Sequence, residues 1–537
     1  MLVTTTGIQE RIMCGCSYPR FSTGRGLVFC LLLVVIGALS ARAAGLPQQP
    51  NIIIVMVDDL DVGLTQRVLE LGAMPNLKSG IIDPGFTFSD AFVSNSVCCP
   101  SRATYLSGQY THNHGVLTNY PPDGGAPAFE DSSTLATWMH NGGYYTGYIG
   151  KYLNGYGQFD LTGDGEFTPA DQTYIPPGWD DWRGLVDPTT YRVYDYSVNN
   201  NGVIENYGSG ESDYQTDVLS GYVQDFLSVT EQADETPFFL TVMPLAPHTE
   251  IQEGDFPHDY HDIWKWDIRP ALRHDATLGM VLPEPPSYNE PDVLDKPLWL
   301  QQQERLNTDD ELFLIRKHRH RAEALRAVDD LIGLMLDFLA QNSELDHTVI
   351  IFTSDNGFMH GEHRLSSKSN AFEEAIRVPL YIRLPGIEQG ATLNQIVLNN
   401  DLAPTIAELA GVAVGHVVDG RSLVTLFNDP SPVTWRRQFL IEHFGGGGKT
   451  PLYIPDYAAI RSGPYWNATG PLTLVRYDDP EQSSEYYDLG LDPYQLRSLH
   501  DIPQLQGQMN RLDLFIGLLR QCRGTGCRVL ENYRIDQ

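Results

Sequence analysis

The chain is expected to fold as an α/β protein on a large, mixed, mostly parallel sheet flanked by helices, with a smaller unit at its C-terminus. Three observations predict this. Several runs of consecutive apolar residues have strand length and no polar alternation, as in strands covered on both faces. Helical patterns lie between these runs, and such alternation is typical of a layered α/β sheet. Near residue 430 the chain changes character, with Asn428-Asp-Pro-Ser-Pro432 reading as a linker.

The first strand is Asn51-Ile-Ile-Ile-Val-Met-Val57, and Tyr145 to Ile149, Phe238 to Met243, Val349 to Phe352 and Val378 to Ile382 look similar. Asp131 to His140 reads as a helix, opened by Asp-Ser-Ser and stopped at Asn141-Gly142-Gly143. Leu325, Val328, Ile332, Leu336 and Leu339 form one apolar helical face that leads into the strand at Val349. Beyond residue 430, strands are expected at Ala458–Arg461 and Leu472–Tyr477, and an amphipathic helix near Leu505–Leu519.

The residues that end each strand are informative. Val57 is followed by Asp58-Asp59, Ile149 by Gly150-Lys151, Met243 by a loop ending at His248, and Phe352 by Thr-Ser-Asp355-Asn356-Gly357. Open α/β sheets carry their sites past the carboxyl ends of their strands, so these residues are expected to gather on one edge. Asp58, Asp59, Asp355 and Asn356 offer only hard oxygen donors, which select Ca²⁺ or Mg²⁺ over zinc.

The chain has 537 residues, 42% of them hydrophobic, enough for a large core. Residues 1–43 read as a signal peptide. Arg11, Arg20 and Arg25 precede the apolar run Leu27 to Leu39, and Ala41-Arg42-Ala43 suits cleavage. That run is short for a bilayer span; an uncleaved anchor is its other reading. Export would make the protein secreted or periplasmic, or lysosomal or otherwise lumenal in a eukaryote. No stable membrane span is expected elsewhere. Cys522 and Cys527 are close enough to close a small disulfide loop in an oxidising compartment, or stay free thiols. Asn467-Ala468-Thr469 is a glycosylation sequon. The formal net charge of −32 argues against nucleic acid as a partner and makes a heavily sulfated polymer a less comfortable substrate.

Two further stretches carry ligand-type or cationic residues. Asp160 to Asp171 approaches the spacing of a calcium-binding loop, but with Thr162 at the third position and aspartate at the twelfth. It reads first as a polar loop, with a second calcium as the alternative. Lys317-His-Arg-His-Arg321 reads as the solvated start of the following helix.

The most telling segment is Cys98-Cys-Pro-Ser-Arg-Ala-Thr-Tyr-Leu-Ser-Gly108. Cys98, Pro100 and Arg102 resemble the C-x-P-x-R core of the sulfatase family, and Ala103 to Gly108 continue its longer signature. The resemblance spans about residues 50 to 520. It implies the alkaline phosphatase-like fold, with domains at 44–430 (catalytic) and 431–537 (a C-terminal antiparallel-sheet subdomain). It implies that Cys98 is oxidised to formylglycine by a formylglycine-generating enzyme. A hydrated aldehyde carries two hydroxyls: one attacks sulfur, and the other lets the sulfated intermediate collapse without a second attack at sulfur.

The same resemblance implies calcium, with magnesium second, held by Asp58, Asp59, Asp355, Asn356 and the modified Cys98. Arg102 would stabilise the hydrated aldehyde, and Lys151 and Lys368 would clamp the sulfate. His248, with Lys368, would protonate the leaving alcohol. Many sulfatases have histidine two residues after the lysine matching Lys151; here Leu153 stands there. That form, with Thr111-His-Asn-His114 and Gly178-Trp-Asp-Asp-Trp182, resembles the branch of N-acetylglucosamine-6-sulfatases, heparan endosulfatases and microbial arylsulfatases. Asn154 is expected to replace the missing histidine, and His112 and His114 to line the substrate pocket. The expected reaction is hydrolysis of a sulfated sugar or aryl sulfate. A phosphonate or phosphate ester hydrolase and an inactive binder of sulfated glycans are the alternatives.

Overall fold

In the computed structural model, four parallel strands at the sheet centre carry the residues picked out by their apolar runs. They are β1 (Asn51–Val57), β2 (Tyr145–Gly150), β3 (Phe238–Met243) and β4 (Thr348–Ser354). The structure describes residues 49–232, 236–251, 266–279, 281–387, 390–430, 432, 434–445, 454–463 and 470–534. The signal peptide expected at 1–43 and the sequon at Asn467 lie outside the described residues.

The sheet has ten strands among the described residues. Its order is Ala391–Leu393, Phe86–Phe88, Leu380–Arg383, β4, β1, β3, β2, Asp181–Leu185, Ser197–Asn200 and Val203–Asn206. The strand expected at 378–382 forms as Leu380–Arg383 but runs antiparallel to β4. The last two strands of the other edge are antiparallel as well.

Alternate residues of the central strands feed two separate cores. Ile52, Ile54 and Met56 of β1 join one, and Ile53, Val55 and Val57 the other. Val349 and Ile351 of β4 divide from Ile350 and Phe352 in the same way. Both faces are thus buried, which is why these strands read as unbroken apolar runs. Each such side chain contributes about 1.5–3 kcal/mol on burial.

One core packs under helix α1 (Cys98–Ser107); the other packs under the 34-residue helix α2 (Thr308–Gln341). Asn307 caps α2 by accepting from the main-chain N–H groups of Asp309 and Asp310.

The C-terminal region forms a separate four-stranded antiparallel sheet, Gln438–His443, Tyr457–Ser462, Leu472–Tyr477 and Ser484–Asp488. The helix Gln506–Leu519 supplies Met509, Leu512, Ile516 and Leu519 to the core that also holds α1. Cys522 and Cys527 form a disulfide. No helix among the described residues is long and apolar enough to cross a membrane.

Register brings the strand ends together. Val57 pairs with Ser354, and Val55 and Ile149 both pair with Val242. Asp58, Lys151 and Asp355 therefore leave the sheet at one level. Gly150, with φ +116°, makes this possible for Lys151: a Cβ there would lie 2.1 Å from the Met243 carbonyl oxygen.

Candidate active site

Cys98 is the first residue of α1, a helix whose ten residues are all buried. Gly108 closes it in the left-handed conformation, φ +69°, donating its N–H to the Thr104 carbonyl. The helix points its N-terminus, and so Cys98, at the ends of β1 and β4. Cys98 Sγ lies 3.7 Å from Asp58 Oδ1 and 2.7 Å from Lys368 Nζ. Burial pushes the thiol pKa up to about 12, against the pull of Lys151 and Lys368. An unmodified Cys98 is therefore a neutral thiol near pH 7, a poor nucleophile.

Three turns of chain converge on Arg102, which is 1% exposed. Its Nε donates to Asp355 Oδ2 at 2.8 Å, its Nη2 to Asp58 Oδ2 at 3.3 Å, and its Nη1 to the Lys151 carbonyl at 2.7 Å. A planar guanidinium fork meets three acceptors at once, which an ammonium does not. Ser101, one residue earlier, donates to the Asp355 carbonyl.

Asp58 and Asp59 are buried, and each carries an ammonium partner: Lys151 on Asp58 and Lys368 on Asp59. Burial opposes ionisation of Asp58, but Lys151, His248 and Arg102 more than offset it and hold its pKa well below the usual carboxylate range. Burial also opposes ionisation of Asp59, and Lys368 and His248 outweigh it, again with a lowered pKa. Asp355 goes the other way: burial and the neighbouring Asp58 charge push its pKa up. Both lysines are driven further toward the charged form, burial notwithstanding, by Asp58 beside Lys151 and Asp59 beside Lys368.

His248 Nδ1 donates to the Thr249 carbonyl at 2.6 Å, and its Nε2 faces Asp59 Oδ2 at 3.5 Å. Burial lowers its pKa to about 4, with Asp59 and Asp58 pulling in the opposite direction. The neutral ring thus has a bare Nε2 directed into the site.

The donor set fits a hard dication. Ligand atoms of Asp58, Asp59, Cys98 and His248 all lie within 4.8 Å of one another. Asn356 Nδ2 donates to Asp59 Oδ1 at 2.7 Å and to the Gly357 carbonyl at 2.8 Å, which fixes the amide orientation. Its buried Oδ1 then has no hydrogen-bond partner. An orphaned carbonyl oxygen beside three carboxylates suits a calcium or magnesium ligand. Asp355 is held to the group through Oδ1, which accepts from the Asp59 N–H at 3.1 Å.

The remaining expectations are met unevenly. Asn154 does border the site: its Nδ2 donates to Tyr191 Oη at 2.5 Å. The Tyr191 ring lies 4.7 Å from Lys151 Nζ and 5.2 Å from the His248 ring, so Tyr191 is a site residue that the sequence reading missed. No local pattern marked it.

His112 and His114, expected to line the substrate pocket, are part-buried and each has protein partners. His112 Nδ1 pairs with Glu442 Oε2 at 2.8 Å and its Nε2 with the Cys522 carbonyl at 3.0 Å. His114 Nδ1 accepts from the Val116 N–H at 3.1 Å, leaving Nε2–H for Thr104 Oγ1 at 3.0 Å. Burial lowers the His114 pKa to about 3. The unfolded chain takes up this proton as pH falls through about 6.5; the folded chain does not until near 3, so acid destabilises. Between pH 7.5 and 5, wild type is expected to lose about 2 kcal/mol more stability than His114→Gln, measured by urea unfolding at both pH values.

The calcium-like loop also closes on itself. Asp171 accepts from the N–H groups of Leu161, Thr162 and Thr168, and Asp160 from those of Gly163 and Gly165. Arg319 borders a second grouping of metal-ligand types, Asp275, His320 and Glu323, lying 3.2 Å from His320 Nε2 and 3.8 Å from Glu323 Oε2.

The solvated reading of Lys317 to Arg321 is corrected. These residues sit inside α2, and Lys317, His318 and Arg321 are buried. Lys317, Arg321, Leu325, Val328 and Ile332 share one helical stripe at spacings of three and four, so the stripe that covers the sheet also carries the two cations to its edge. Arg321 donates to the Asp59 carbonyl. The spacing was legible in the sequence, but the charges argued against burial.

Residues 50–412 match the family model described as Sulfatase, and residues 361–520 match that of the N-sulphoglucosamine sulphohydrolase C-terminal region. The chain belongs to the sulfatase family. It is a sulfuric ester hydrolase. It is 31% identical to an N-acetylglucosamine-6-sulfatase of Capra hircus over 93% of this chain and 89% of that one. It is 32% identical to an arylsulfatase of Volvox carteri, over 93% and 79%. A solved structure of BT4656 in complex with its substrate, D-glucosamine-2-N,6-O-disulfate, superposes with a TM-score of 0.70 at 21% identity, covering 91% of this chain and all of that one. At that identity the likeness is one of fold.

Proposed function

We propose that this hydrolase acts on sulfate monoesters of sugars, with 6-sulfated N-acetylglucosamine as the leading candidate, using formylglycine made from Cys98 and a bound Ca²⁺. The observation that carries the reading is the position of Cys98 Sγ, between the Lys368 ammonium and Asp58 at the focus of three carboxylates. A buried thiol of raised pKa is ill suited to attack sulfur itself, which favours the modified side chain.

Formylglycine, as its hydrate, supplies an oxygen nucleophile and a second hydroxyl on one carbon. A dication held by Asp58, Asp59, Asp355 and Asn356 supplies a Lewis acid for a sulfate oxygen. Lys151 and Lys368 remain ammonium groups and bind sulfate oxygens, where negative charge grows as the S–O bond breaks. Arg102 fixes the two carboxylates and the Lys151 backbone in one frame. His248 Nε2, bare in the neutral ring, takes up the proton that the attacking hydroxyl releases and passes it to the leaving oxygen. Tyr191 holds Lys151 and His248 at their spacing, and Asn154 fixes Tyr191.

The proposal extends to export through residues 1–43, to maturation by a formylglycine-generating enzyme, and to a functional division near residue 430. Arg102, Lys151 and Lys368 offset the acidic surface within a Debye length of the site. The test is a panel of N-acetylglucosamine-6-sulfate, heparan fragments, aryl sulfates and aryl phosphonates given to the purified enzyme. The sulfated glucosamine is expected to show the highest kcat/KM. A preference for phosphonates would replace this reading with that of a phosphonate ester hydrolase, and binding without turnover would replace it with that of a glycan-binding protein.

A further inference from the structure

Asp59 takes a backbone conformation that a residue with a side chain rarely adopts, φ +64°. That conformation lets consecutive aspartates both face the site, so something must hold it. The Asp59 carbonyl accepts from Nη2 of Arg321, which arrives from α2 on the face of the sheet opposite α1. Arg321 is 0% exposed, and its Nε and Nη1 have no hydrogen-bond partner. Its guanidinium lies 4.4 Å above the Phe358 ring, two residues beyond Asn356, and Lys317 lies over the same ring at 4.8 Å. A single side chain thus spans the turns after β1 and β4, the two turns that supply Asp58, Asp59, Asp355 and Asn356. Burial disfavours its charge and lowers its pKa, and the Asp59, Asp61 and Asp58 carboxylates pull the other way.

We propose that Arg321 is a positioning residue for the cation site, holding the Asp59 turn in its left-handed conformation from a platform on Phe358. The inference rests on the reading that these carboxylates bind a divalent cation. Its sign separates it from a charge effect. A nearby positive charge alone repels a dication, so neutralising it would tighten cation binding. Loss of positioning weakens binding even when the charge is kept.

The test is calcium titration by calorimetry of chelator-stripped, full-length protein. Arg321→Lys, which keeps the charge and loses the fork, is expected to raise the calcium Kd at least about tenfold, the range typical of groups that orient metal ligands. Arg321→Met is expected to weaken binding too, despite removing a repulsive charge. A Kd for Arg321→Lys within about twofold of wild type, or tighter binding by Arg321→Met, would overturn the proposal. If neither Arg321 variant folds, Phe358→Leu removes the platform alone: a raised Kd supports the proposal and an unchanged one overturns it. Absence of divalent-cation binding by wild type would sink the metal reading together with this inference, whereas wild-type binding with unaffected variants would sink the inference alone.

Discussion

Cys98→Ala is expected to lower kcat on a sulfate ester by at least about 10⁴-fold, since removing the nucleophile of a covalent mechanism forfeits most of its rate enhancement. The fold should survive. Cys98 stands at the first turn of α1, and alanine suits a helix at least as well. Sulfate ester affinity should therefore persist, because Lys151, Lys368 and Arg102 hold their places through Asp58, Asp59 and Asp355 rather than through the sulfur alone. Two readouts check this. Steady-state kinetics should show the loss in kcat, and mass analysis of the wild-type peptide should show the aldehyde. Turnover by Cys98→Ala within tenfold of wild type would end the covalent account.

Removing the divalent cation is the second large effect. Chelation should abolish detectable turnover, and calcium should restore it. It should also destabilise the protein. Asp58, Asp59 and Asp355 are almost fully buried, and burial with the Asp58 charge already raises the Asp355 pKa. A dication that binds only the folded chain adds about 2.7 kcal/mol at a concentration one hundred times its Kd. Thermal unfolding followed with and without chelator should show a higher Tm with calcium, and magnesium should shift it less. Full activity in exhaustively stripped protein, confirmed metal-free by elemental analysis, would exclude a catalytic cation.

The central strands were legible because both faces of each are covered, so nothing polar interrupts Ile52 to Val57 or Val349 to Phe352. Strand direction was not legible. The apolar run at 378–382 carries no sign of its sense, and only the path from β4 makes Leu380–Arg383 antiparallel. Gln438–His443 escaped notice because its polar ends are buried by the fold, Gln438 donating to the Leu530 carbonyl and His443 stacked on Tyr457. In the site, Asp58, Asp59, Lys151, Asp355 and Asn356 were legible because each directly follows a recognisable strand. The contacts of His112 and His114 were not. Their roles depend on Glu442 and Cys522, 330 and 410 residues later in the chain for His112, and on a turn made at Val116 for His114. Arg321 was misread because charge outweighed spacing: a cation on an apolar stripe is stable only where a buried carboxylate cluster awaits it, and that cluster forms in three dimensions.

The 2% exposure of Cys98 sets a clock on ribosomal synthesis. Lys368, which covers the sulfur, is 270 residues further along the chain. At about 5–20 residues per second, roughly 15–50 s separate the emergence of the motif from that of its cover. An oxidising catalyst that needs access to this thiol would have to reach it before the chain folds around it, and a growing polypeptide offers that interval. Slow elongation would then raise the yield of converted protein, and post-translational rescue of a folded, unconverted molecule would require it to unfold.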